Sequence, residues 1–269
     1  MRNVRRAALA PEAPAMVNPS PLRGEVWMAT RVASGRGIAP ERLFYSGAAW
    51  SMLAAVLIGF APSWFLVPFN GLPAHIVPPT PLVHLHGAVF SAWMLLFVTQ
   101  TSLVAAGRTD IHRRLGLIGL PLVLAMIVIG TITGLAGIAR ASGPPVVPPP
   151  SWAAIPLFSV PGFGGLILAA LWKRRVPQSH KRLMLLAMVP MMGAAFGRMP
   201  WFGGLSGIVL IPSLYVVALA LWDMATLRRL HRATIWGGLF AFGAVMIPVL
   251  VWQTPAWIAF ANWAAALIG

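Results

Sequence analysis

The chain has 269 residues, of which 58% are apolar and only 9% charged, and its mean hydropathy is +0.80. Soluble domains carry about 25% charged residues, so this composition excludes an ordinary soluble globular protein, and its apolar richness excludes disorder over most of the length. A net charge of +15 in such a chain fits anionic lipid headgroups and topology control rather than nucleic acid, and the absence of cysteine excludes disulfides, thiolate catalysis, cysteine-ligated iron–sulfur clusters and covalently attached haem.

Residues 1–43 form a basic, Pro- and Gly-containing leader, expected to be disordered and cytoplasmic. It lacks the apolar stretch of a secretory signal, and Met28 is an alternative start. Seven apolar stretches follow, at 44–67, 82–106, 115–139, 152–172, 182–198, 203–222 and 233–252. A span needs about 20 residues, so the fold class expected is all-α, a polytopic transmembrane bundle of seven helices over 44–269. The fifth stretch is the shortest. Pro255–Gly269 is apolar but short, and Trp257 and Trp263 mark it as interfacial or re-entrant. The acids are Glu12, Glu25, Glu41, Asp110 and Asp223. The first three precede the first span, and the last two are assigned to polar segments between spans. No carboxylate is expected inside the membrane, so a carboxylate proton relay, a di-iron site and paired-carboxylate hydrolysis lack their parts.

Orientation follows from the bases. With the N-terminus inside, 18 Lys and Arg face the cytoplasm, and two, Arg140 and Arg198, face outward. The Pro-rich segments Asn70–Pro81 and Arg140–Ser151 fall outside. Trp64, Trp152, Trp201 and Trp252 lie near the outer boundary and Trp172, Trp222 and Trp236 near the inner one, as in an aromatic belt.

Three helical hairpins with cytoplasmic turns follow the first span. His112-Arg113-Arg114-Leu115 opens one return helix and His180-Lys181-Arg182-Leu183 another, and His231-Arg232 opens the third more loosely. A helix N-terminus already carries about half a positive charge, so bases there need something negative. Anionic phospholipid headgroups are one answer, and an anionic ligand such as a phosphate or haem propionates is the other.

His84 and His86 lie at the outer end of the second span. His86, Trp93 and Gln100 are seven apart and drift only about 20° per step, so they share one inward face. His84 and His86 are therefore candidate ligands for a metal or haem, against a packing role. Met184, Met188 and Met191 form one face of the fifth span and read as core filler, with Cu(I) or haem ligation as the alternative. Arg198 either snorkels or pairs with an anionic ligand. Gly130, Thr131, Thr133 and Gly134 allow close helix packing, and Gly119–Pro121 is expected to kink the third span. A P-loop, HExxH, GxSxG, desaturase histidine boxes and a lysine in the seventh span are all absent from the sequence.

The strings His84-Leu85-His86-Gly87, Ser91-Ala92-Trp93, His112-Arg113-Arg114-Leu115-Gly116, His180-Lys181-Arg182-Leu183-Met184 and Trp236-Gly237-Gly238 resemble an uncharacterised family of bacterial multispanning membrane proteins. That family is loosely similar to helical b-type cytochromes and oxidase-assembly membrane proteins. The resemblance covers about residues 44–269. It implies a multi-pass protein of the bacterial inner membrane. A b-type haem or a transition metal is the cofactor expected, with His84, His86, His112, His180 and Arg198 as binding residues. The alternatives are a small-solute or lipid transporter and a structural or assembly partner of a membrane complex.

Overall fold

The computed structural model describes residues 39–144, 146–202 and 204–267. These residues form helices and no strands. Helix α1 (Pro40–Phe60) continues through a π-helical turn (Ala61–Phe65) into short α2 (Val67–Asn70). Then come α3 (Pro81–Ala105), α4 (Thr109–Leu115), a 3-10 turn (Gly116–Ile118), α5 (Gly119–Ala139), α6 (Pro149–Trp152) and α7 (Ala154–Trp172). The chain ends with α8 (Pro177–Phe196), a π-helical turn (Ser206–Leu210), α9 (Ile211–Leu227), α10 (Arg232–Val251) and α11 (Pro255–Ala266). Of the leader expected over 1–43, residues 1–38 lie outside the described residues, and Pro40–Leu43 are already the first turn of α1.

Local chemistry sets the starts. Thr80 Oγ1 accepts from Val83 N at 3.4 Å and Thr254 Oγ1 from Trp257 N at 3.3 Å, and each is followed by a proline whose missing N–H costs a first turn nothing. His231 caps α10 in the same manner, its Nδ1 accepting from Ala233 N at 3.0 Å.

Six segments are long and apolar enough to cross a bilayer: Pro40–Asn70, Pro81–Ala105, Thr109–Ala139, Pro149–Trp172, Ser206–Leu227 and Arg232–Val251. This is the signature of a multi-pass membrane protein. Helix α8 is not among them, because its first turns, Pro177-Gln178-Ser179-His180-Lys181-Arg182, lower its hydropathy. Yet α8 is the axis of the molecule. Helices α1, α7, α9 and α10 all pack on it, and from Leu185 through Pro190 every residue is buried. The outer surface is apolar: Leu95, Val128, Leu214, Leu239 and Leu250 are all exposed. Such a surface suits lipid, while the backbone polar groups are satisfied within helices.

Small residues let the helices close on one another. A Cβ on Gly59 would strike the Ala195 backbone, so α1 and α8 touch main chain to main chain. The expected close packing at Gly130 is present, where a Cβ would lie 2.9 Å from the Phe90 ring. A kink is expected at Gly119–Pro121; a 3-10 turn at Gly116–Ile118 interrupts the α-helix just before it, and Pro121 sits in the first turn of α5. The C-terminal segment is helix α11, too short to span, with Trp257, Ala261 and Ala264 buried and Trp257 Nε1 donating to Pro150 O at 2.9 Å.

Candidate functional site at the basic end of the bundle

Arg182 is 0% exposed and so is Asp223. Arg182 Nε and Nη2 donate to Asp223 Oδ1 at 3.0 and 2.5 Å, and Arg182 Nη1 donates to Gln178 O at 2.9 Å and Gln178 Oε1 at 2.6 Å. The other carboxylate oxygen, Asp223 Oδ2, accepts from His231 N at 3.0 Å and Thr234 Oγ1 at 2.5 Å. One aspartate on α9 thus holds the first turns of both α8 and α10. Its charge faces the positive end of α10, where an anion is stabilised.

This corrects two expectations. Asp223 is not in a polar segment between spans. It lies inside α9, which continues five residues past the boundary expected at Trp222. Asp110, by contrast, stays exposed in the first turn of the short polar helix α4. The first charged residue after an apolar run makes a poor boundary when that charge is fully hydrogen-bonded, because it then has no need of water. The negative partner expected to come from outside for the His231 corner is also internal, and it is Asp223. Near it, Lys181 pairs with Glu41 and lies 5.2 Å above the Tyr45 ring, and Tyr45 is buried with its hydroxyl unpartnered among the described residues. Burial and the Arg182 charge hold the His231 imidazole below its ordinary pKa, in keeping with a neutral ring that accepts at Nδ1.

The repeat read in the sequence is unequal in space. Arg182 is buried, while its counterpart Arg114 is exposed. The histidines of the two corners do meet: the His112 and His180 ring centroids are 6.4 Å apart, with planes at 78°. His180 Nδ1 lies 2.9 Å from Ala170 O and so acts as the donor, which leaves Nε2 as the ring's lone-pair nitrogen. His112 Nδ1 is buried with no partner among the described residues, and so is Gln100 Oε1.

At the opposite end the candidates separate. His84 is exposed and sits 5.2 Å from the Trp64 ring, whereas His86 stacks on Phe90 at 4.0 Å with its Nδ1 buried and unpartnered among the described residues. Two residues apart on a helix point to nearly opposite sides, so His84 and His86 do not converge on one metal. Among the described residues no group of three or more His, Asp or Glu converges on one metal either. Arg198 Nη1 donates to Ala194 O at 2.6 Å and its guanidinium lies 4.4 Å above the Phe60 ring, so the end of α8 and an aromatic face engage part of it. Trp93 is buried on the expected inward face, donating to Met188 Sδ at 3.2 Å and meeting Phe163 edge-on. The methionine stripe is core at that point, as the commoner reading expected.

Arg182, Asp223, Gln178, Thr234 and Tyr45 were not singled out in the sequence. The usable signal was the acid inside the run Leu219-Ala220-Leu221-Trp222-Asp223-Met224, eight residues before a histidine that opens the next helix. Comparison with protein-family models, with curated proteins and with solved structures returns no match.

Proposed function

We propose that this chain is an inner-membrane protein that crosses the bilayer seven times with its N-terminus in the cytoplasm, and that His112 and His180 hold one transition-metal centre at the cytoplasmic face, with haem iron first. The excess of Lys and Arg on one side supports the orientation, and the central place of α8 supports counting it as the seventh crossing. The observation that carries the metal reading is the meeting of two imidazoles from different hairpins at 6.4 Å. Two imidazoles at that separation would be near enough to hold one ion together, each through a ring nitrogen at about 2.0–2.1 Å. The Ala170 carbonyl fixes the His180 ring as an outer partner fixes a metal-bound histidine. A two-nitrogen set suits haem, which brings its own equatorial ligands, better than zinc, which takes three or four from the protein. Arg113 follows His112 directly, is exposed, and suits a propionate. Bound there, the group would supply one-electron or gas-sensing chemistry, and the chain's own part is to orient the two rings and surround them with positive charge.

The test is an optical spectrum with iron, copper and zinc analysis on protein purified in mild detergent. A Soret band with stoichiometric iron, lost in both H112A and H180A and kept in H84A, is the expected result. A colourless, metal-free preparation rejects the reading. A second reading, passage of a small solute, draws on the unpartnered buried polar atoms His86 Nδ1, Gln100 Oε1 and Ser102 Oγ along α3. Trp93, packed on Met188 and Phe163, blocks that line midway. Solute-dependent uptake into vesicles by colourless protein would favour it.

A further inference from the structure

Helices α1 and α9 leave a groove of about 320 Å³ between them, lined by Leu43, Phe44, Gly47, Ser51, Tyr215 and Ala218. From Leu43 to Ser51 it follows nine residues of α1, eight steps or about 12 Å at 1.5 Å per residue. That is close to one leaflet of a hydrocarbon core roughly 30 Å thick. The deep end is polar only through the Ser51–Tyr215 hydroxyl pair, 3.0 Å apart and mutually satisfied. At the basic end Phe44 stacks on Trp222, with centroids 4.6 Å apart and planes at 14°. Trp222 Nε1–H is buried and has no acceptor among the described residues. Sealed within the protein, this nitrogen is not open to a ligand in the groove.

Just beyond it, α9 ends at Arg228, in the left-handed region with φ 56°, and the turn into α10 exposes Arg228, Arg229 and Arg232. The described acids do not neutralise them: Asp223 is engaged by Arg182, Glu41 by Lys181 and Asp110 by Arg108. The groove therefore has an apolar channel about one leaflet deep and, past its basic end, cations that no described acid neutralises.

We propose that this groove binds one anionic phospholipid. An acyl chain lies between α1 and α9, and the phosphate rests on Arg228 and Arg229. The site rests on membrane insertion and not on the metal centre, so iron content, measured on the same samples, reports separately on that reading.

Thermal unfolding in detergent micelles doped with phosphatidylglycerol or phosphatidylcholine tests it, with native mass spectrometry to count retained lipid. Phosphatidylglycerol is expected to raise Tm in a saturable manner and further than phosphatidylcholine, with one lipid retained. A Cβ at Gly47 meets nothing within 4 Å, so a side chain can start there, and G47F, which puts a ring into the groove, is expected to abolish both the rise and the retained lipid. R228Q/R229Q is expected to erase the preference for phosphatidylglycerol and leave the smaller phosphatidylcholine shift. Equal shifts for the two lipids, a G47F protein that keeps its lipid, or an R228Q/R229Q protein that keeps its preference would each overturn the proposal. So would inorganic phosphate alone reproducing the shift.

Discussion

At the scale of single residues, the buried charges are the largest stake. Removing one member of a fully buried, hydrogen-bonded pair leaves the other uncompensated and costs about 3–5 kcal/mol, whereas replacing both with apolar residues is often nearly neutral. D223A is therefore expected to lower stability strongly, while R182M/D223L recovers most of the loss. Unfolding by SDS or heat in detergent measures both, and equal loss in the single and double variants would contradict this account. His231 supplies a pH dependence. Its imidazole is held below the ordinary value by burial and by Arg182, so the unfolded chain binds a proton more readily than the folded one. The contribution to stability is complete above the ordinary histidine range, near pH 6.5. It is lost as pH falls below that toward the depressed folded value. Tm should drop from pH 8 to pH 5 in the native chain and drop less in H231N, where asparagine keeps a cap at α10. At this scale the sequence was only half legible. The histidine-base corners and the inward face of Trp93 could be read from spacing. The partnership of Arg182 with Asp223, 41 residues away, could not.

At the scale of elements, α8 carries the main lesson. Hydropathy ranks it last, because its N-terminal turns hold Gln178, Lys181 and Arg182, and tertiary packing puts it in the middle. Averages along a sequence treat a charge as a reason to be in water. A charge with every donor and acceptor matched has no such need. The contact of α1 with α8 depends on a missing side chain, since any Cβ at Gly59 meets the Ala195 backbone, which cannot rotate away. G59V should destabilise by at least about 1–3 kcal/mol, the usual cost of overpacking, and lower the yield of folded protein in detergent. Helix α11 depends on Trp257, which is 9% exposed and hydrogen-bonded to Pro150. W257A should free α11 from α5 and α6, at a local cost of about 3–5 kcal/mol. Hydrogen exchange should then quicken over residues 255–266 and hardly change in α8.

At the scale of the whole molecule, the orientation is open to direct test, because the chain contains no cysteine to remove first. R174C is expected to react with a membrane-impermeant maleimide only after the cytoplasmic face is opened, and S142C in intact cells. The reverse pattern would invert the topology. The sequence by itself determined that the chain belongs in a bilayer, where most of its crossings lie, and which end is basic. Those properties are sums over many residues, and sums survive ignorance of the partners. The meeting of His112 with His180, the parting of His84 from His86, the burial of Arg182 on Asp223 and the groove between α1 and α9 were decided only when the helices packed. Each depends on the rotation of one helix about its axis relative to another, and that rotation is set by close contacts between small residues far apart in the chain.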